Sequence, residues 1–226
     1  MEYASKVPGG ILGGRWKPTH HWYESHLFSD VLVICGAAGN VLIKNDRFTP
    51  FSGTLNITKL ELATGIETIL FTNSTLSLPA GPGAAQWITV DSSIDGHLFV
   101  LRASVIGANG ELVTNSFHPL LPPANWTSLP LDAAVTVVVA DEPNDDGSIN
   151  VILTSTKLAA FVHLTTLAAG RFSDNAFFVL PGISGGVTVR FIPWESGISS
   201  DVLRSSLRFD HLAAAMQGMV AGGERQ

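Results

Sequence analysis

One strand-and-turn unit sets the terms for the rest of the chain. Residues 97–107 read HLFVLRASVIG, with Phe99, Leu101, Ala103 and Val105 on one face and Arg102 and Ser104 on the other. That period-two alternation belongs to a strand with one buried and one solvated face. The strand runs into Asn109-Gly110 and leaves through ELVTNSF. An Asn-Gly pair between two such runs predicts a two-residue hairpin turn with positive φ at both central positions. Runs of the same kind recur: FSDVLVIC, NVLIKND, GTLNITKLEL, ETILFTN, STLSL and QWITV before it, AVTVVVADEP, INVILTST, AAFVHLTTL, AFFVLPG and GGVTVRFIPW after it. Ala160, Val162 and Leu164 form one inward set, and Val187, Val189 and Phe191 another. DVLRSSLRFD extends the list as one more edge strand. Helical segments do not alternate with these runs, so the chain has no material for a (β/α)₈ barrel of ~250 residues. The expected fold class is all-β.

Composition agrees and narrows the function. Charged residues make up 14% of the 226, against a usual ~25%, and 22 Gly with 12 Pro suit many short strands and turns. With 13 Lys and Arg and a net charge of −6, the chain lacks the basic surface that nucleic acid or an anionic membrane requires. Cys35 is the single cysteine, which excludes an internal disulfide; in VLVIC it reads as a small buried hydrophobe. No apolar run reaches the ~18 residues of a membrane span, and no secretory leader opens the sequence.

The aperiodic stretch HPLLPPANWTSLPLD, His118–Asp132, divides the strands into two groups. Each group is close to the ~100 residues of an immunoglobulin-like sandwich. The expected organisation is a connector over 1–25, sandwiches over 26–122 and 130–210, and a tail over 211–226 that is a short frayed helix or irregular. Within the second group, RFSDN interrupts two apolar runs in AGRFSDNAFFVLPG, Ala169–Gly182. Asp174, Ala176, Phe178 and Leu180 have the spacing by which strand F of an immunoglobulin sandwich is entered, where Asp, a small residue, Tyr and Cys stand in turn. Asp and Asn bond the backbone of a tight turn, Ala permits close packing, and the aromatic fills the end of the sandwich. RFSDN is therefore read as a corner between sheets.

GRFSDNAFFVLPG, preceded by STKLAAFVHLTTL and followed by VTVRFIPW, resembles the terminal immunoglobulin-like domain of β-mannosidases of glycoside hydrolase family 2. GGRWKPTHHWYESHLFSDVLV and VLIKNDRFTPFSGTLNITKLELATG resemble the exit from that enzyme's barrel into its first C-terminal module. The resemblance implies two tandem immunoglobulin-like sandwiches acting as a non-catalytic accessory region. Its partners would be the parent's catalytic barrel and mannose-containing glycans, in a lysosomal, vacuolar or secreted enzyme. The acid/base and nucleophile glutamates of such enzymes lie ~5 Å apart on the barrel. None of the glutamates here matches that pair, so no catalytic residue, cofactor or metal ligand is assigned. A stand-alone carbohydrate-binding sandwich and a structural or adhesive protein are the alternatives.

Individual candidates are few. His20, His21, Glu24 and His26 are metal-capable residue types without a framework to converge them. Trp16, Trp22, Trp87, Trp126 and Trp194 invite sugar stacking, although core packing is the commoner use. Trp22 with Tyr23 is the candidate sugar contact. Asn56, Asn73 and Asn125 head N-x-Thr sequons and are candidate N-glycosylation positions.

Overall fold

A computed structural model describes residues 11–12, 15–16, 28–36, 39–81, 84–90, 93–182 and 186–223. Among these, every strand ladder is antiparallel, and the fold is all-β as expected. The chain divides into two compact units, residues 24–129 and residues 130–226, the latter grouped with a short N-terminal ladder of β1 (Ile11–Leu12) and β2 (Arg15–Trp16).

The first unit pairs two sheets. One is built from β3 (Val31–Cys35), β4 (Asn40–Asn45) and β7 (Ala84–Thr89) in the order β3-β4-β7. The other uses β5 (Phe51–Glu61), β6 (Glu67–Leu78), β8 (Phe99–Gly107) and β9 (Leu112–Pro119) in the order β6-β5-β8-β9. Val33, Val41 and Ile43 from the first sheet meet Leu55, Ile57, Leu101, Ala103 and Val105 from the second in one core. Alternation along β8 thus puts Leu101, Ala103 and Val105 inside, as its pattern predicts, but Phe99 stays out of that core with Lys59 Nζ over its ring at 4.8 Å, and Val100 is buried instead. ETILFTN and STLSL, two runs in the sequence, form one continuous β6.

Two local differences have clear causes. The β8–β9 hairpin closes through Gly107 N–H to Glu111 O at 2.9 Å, and Gly110 alone has positive φ, +83°. The loop is therefore Ala108-Asn109-Gly110, and the two-residue turn expected from Asn-Gly does not form. A three-residue loop ending in a left-handed glycine is the next commonest hairpin, and it shifts the register after Val105. Second, the proline-rich stretch is not a free linker: β9 extends to Pro119, Pro123–Asn125 make a 3₁₀ turn, and Trp126 and Leu129 are buried.

In the second unit, β10 (Val135–Val139), β11 (Ile149–Ser155), β15 (Val187–Pro193) and β13 (Gly170–Phe172) form one sheet in the order β10-β11-β15-β13. Strands β14 (Phe177–Val179), β12 (Ala159–Thr165) and β16 (Arg208–Asp210) form the other, in the order β14-β12-β16. The core gathers Ile149, Val151, Leu153, Val189, Phe172 and Phe191 against Val162, Leu164, Phe177 and Val179. Phe172 and Phe191 meet edge to face at 5.4 Å between ring centroids.

A register shift in β12 between Ala159 and Val162, with Phe161 at φ +53°, alters the inward set. Ala159, Val162 and Leu164 join the core, while Ala160 is buried outside that cluster. Only the last residues of DVLRSSLRFD form the expected edge strand. Ser200–Ser206 are helix α1, because Ser199 caps it through Val202 N–H and Asp201 sits in its first turn, favourable to the helix dipole. Leu212–Gly223 form helix α2, which packs on β12 and bonds back through Gln217 Nε2 to Leu131 O at 2.7 Å.

Candidate functional site

The corner at RFSDN is the most constrained polar feature of the second unit. Strand β13 lies in one sheet and β14 in the other, so residues 173–176 carry the chain across. Ser173 fastens the departure: its N–H donates to Arg190 O at 2.7 Å, and its Oγ accepts from Arg190 N at 3.0 Å. Asn175 is fully buried. Its Oδ1 accepts from Leu164 N at 2.9 Å and from Ala176 N at 3.0 Å, and its Nδ2 donates to Leu164 O at 2.9 Å. The side-chain amide thus serves as a one-residue strand partner for Leu164. Asp174 Oδ1 accepts from Asn175 N at 2.6 Å, which tightens the turn. Phe178 is buried and meets Phe161 edge to face at 5.1 Å. Every group here is occupied in joining two sheets, so the corner is structural.

Several carboxylates elsewhere are also held by partners. Glu67 pairs with Arg102 and accepts from Thr58 Oγ1 at 3.1 Å, while Arg102 lies over the Phe117 ring at 5.2 Å. Glu61 accepts from Thr64 Oγ1 at 2.6 Å. Glu111 accepts from Asn109 N at 3.2 Å within its own hairpin. Asp146 is pushed below the usual carboxylate range by the Ser148 hydroxyl and amide, with Arg190 as a further cause, in the Asn144–Ser148 turn. Asp132 is lowered by hydrogen bonding to Lys157. Among the described residues no group of His, Cys, Asp and Glu could hold a metal ion. His20, His21, Glu24 and His26 lie outside the described residues. Burial pushes the Cys35 thiol up to about 12, leaving it a neutral core group.

Trp22 and Tyr23, the candidate sugar contacts, also lie outside the described residues. Of the other tryptophans, Trp126 is buried and Trp194 is 39% exposed. Trp87 is 70% exposed. It projects from the outer face of edge strand β7, opposite Leu42, because its neighbours Ile88 and Val41 take the inner face. One pleat along that face, Thr89 Oγ1 donates to Asn40 Oδ1 at 2.9 Å. This places an indole ring beside hydroxyl and amide groups on the outer face of the sheet.

The sequons differ in surroundings. Asn56 is half-buried on central strand β5 and accepts from Thr72 Oγ1 at 3.0 Å, and its Thr58 is buried. Asn73 lies on edge strand β6, where its Oδ1 holds Thr75 N at 3.0 Å. Asn125 is exposed at the end of the 3₁₀ turn, and its carbonyl meets His97 Nδ1 at 2.7 Å.

Residues 132–215 match the Ig-fold domain of the mannosidase family. The match is confined to that stretch. The RFSDN corner falls inside it, so the resemblance carried by GRFSDNAFFVLPG stands. Upstream of residue 132 the likeness is one of fold. The crystal structure of a β-D-mannosidase from Dictyoglomus thermophilum superimposes with a TM-score of 0.64 over 87% of this chain, at 17% identity. The exo-chitosanase CsxA from Amycolatopsis orientalis does so with a TM-score of 0.54 over 81%, at 16% identity. This chain spans 23% of the first structure and 25% of the second. No curated protein sequence matches it significantly.

Proposed function

We propose that this chain is the C-terminal accessory region of a glycoside hydrolase of the β-mannosidase type, whose parent releases terminal β-linked mannose. The observation that carries the reading is the mannosidase Ig-fold match over residues 132–215, supported by the likeness of fold to the β-D-mannosidase structure over 87% of the chain. The two modules would brace the parent's catalytic barrel without entering the chemistry. Each carboxylate described above is bound into a turn or a sheet face, and no parallel barrel occurs among the described residues. The isolated chain should release no nitrophenol from an aryl β-mannoside; sustained release that copurifies with it would overturn the non-catalytic assignment. Sequencing transcripts across the Met1 codon should find in-frame barrel-coding sequence upstream, and an in-frame stop there would remove the parent enzyme from the proposal.

The exposure of Trp87 favours a second reading, a sugar-binding face on the first unit. A pyranose presents an apolar C–H face that stacks on an indole, and neighbouring Thr89 and Asn40 would meet its hydroxyls. Retardation of the chain on a mannan gel should then be lost on Trp87→Ala, with the fold retained by circular dichroism. Retardation unchanged by that substitution, or absent on any glycan, ends this reading.

A further inference from the structure

Among the described residues β10 ends its sheet, and no other described strand pairs with its far side. Ala140 N–H donates to Asn150 O, and Ala134 O accepts from Thr156 N, so even-numbered residues face β11. In an antiparallel ladder alternate residues face opposite sides. Val135, Val137 and Val139 therefore direct their N–H and C=O groups away from the sheet. The run AAVTVVVA, residues 133–140, carries no charge and is rich in strand formers. Val138 is 53% exposed, and a shallow groove lined by Val137, Val139, Leu207 and Phe209 follows the edge. An uncharged open edge of this composition is a template for another strand.

One side chain interrupts it. Arg204, on helix α1, donates through Nη2 to Val139 O at 3.2 Å and to Asp141 Oδ1 at 2.7 Å, and through Nη1 to Asp201 Oδ1 at 2.5 Å. The guanidinium is thus held between the helix and the end of β10, with one hydrogen bond spent on an outward carbonyl.

We infer that Arg204 guards this edge against a second copy of the same chain. A two-fold antiparallel pairing centred on Val137 would set Val135 of each copy opposite Val139 of the other, as a hydrogen-bonded pair. Val139 O is the acceptor that Arg204 occupies, and the pairing would have to displace a charged group fixed by two carboxylates. The strand remains accessible yet unpaired, because its strongest self-complementary register is blocked at both ends of the two-fold.

The test uses the full chain. Sedimentation velocity should show wild type as a monomer and Arg204→Ala shifting to dimer as concentration rises, with slowed hydrogen exchange at the Val137 amide. Arg204→Ala combined with Val137→Pro, which removes an outward N–H, should return to monomer. If the alanine variant loses its cooperative melt, Arg204→Met, which keeps the aliphatic stem, takes its place. A folded Arg204 variant that stays monomeric overturns the inference. So does self-association that Val137→Pro leaves unchanged, or a wild-type dimer paired through β10.

Discussion

Asn175→Ala is expected to lower the stability of the second unit by about 3 kcal/mol, the sum of leaving two buried backbone groups without partners. Leu164 N–H and C=O are both bonded to the Asn175 amide, and a methyl group replaces neither bond. Water is a poor substitute because Leu164 is itself fully buried. The loss should appear as a lower denaturation midpoint and as faster exchange of the Leu164 amide specifically. Asn175→Asp separates this cause from simple packing. Its carboxylate would face the Leu164 carbonyl without a donor, and burial would raise its folded pKa above the unfolded value. The folded state then binds the proton more tightly, so the variant's stability must fall as pH rises through the carboxylate range. If the alanine variant melts within about 0.5 kcal/mol of wild type, the ordinary scatter for a neutral surface change, the bridging role is wrong.

Strand positions were legible because period-two alternation needs only a core on one side; β15 kept it throughout and β8 kept it from Leu101 to Val105. The failures fall where one residue changes the local count. The bulge at Ala160–Phe161 moved the inward position from Ala160 to Ala159, which no alternation rule could show. Helix α1 was mistaken for strand because Val202, Leu203 and Leu207 suit either state. The signal that decides for helix is Ser199 followed by Asp201, an N-cap and a first-turn acid.

Buried asparagines were the least legible class. Asn45 in the first unit is as buried as Asn175 in the second. It binds Thr49 O at 3.0 Å and Pro79 O at 2.9 Å, and accepts from Arg47 N at 3.1 Å. Each sandwich thus uses one interior amide to satisfy backbone groups. In sequence both stand beside Asp, at a strand end or in a corner, where Asn is expected to face water. The same limit applies to the candidate sugar contacts. Trp87 lies in a run, QWITV, whose strand was evident, but an edge position and an outward face are properties of pairing order, which sequence does not state. Arg204 became visible only when β10 proved to end its sheet. The corner was legible, since Asp, Asn and a small residue between two apolar runs leave few other uses for a turn of that chemistry.

Phe191→Ala is expected to cost about 4 kcal/mol, the usual loss when a fully buried phenyl is removed. The ring does more than fill volume, because it lies against a position that has no side chain. A Cβ on Gly170 would stand 2.3 Å from Phe191 Cζ and 2.7 Å from Ile192 O. Gly170→Ala alone should therefore destabilise by about 2 kcal/mol through overpacking, with strand β13 pushed away from β15 where Gly170 pairs with Pro193. The two changes cannot be independent. With the ring gone, the two Phe191 contacts of the added methyl are removed and the Ile192 carbonyl contact stays, so the double variant should be less damaged than the sum of the singles by about 1 kcal/mol or more. The residual cost measures the backbone contact, which no side-chain change relieves. Strict additivity in denaturant melts of the four proteins would show that Gly170 is small for some reason other than the Phe191 ring.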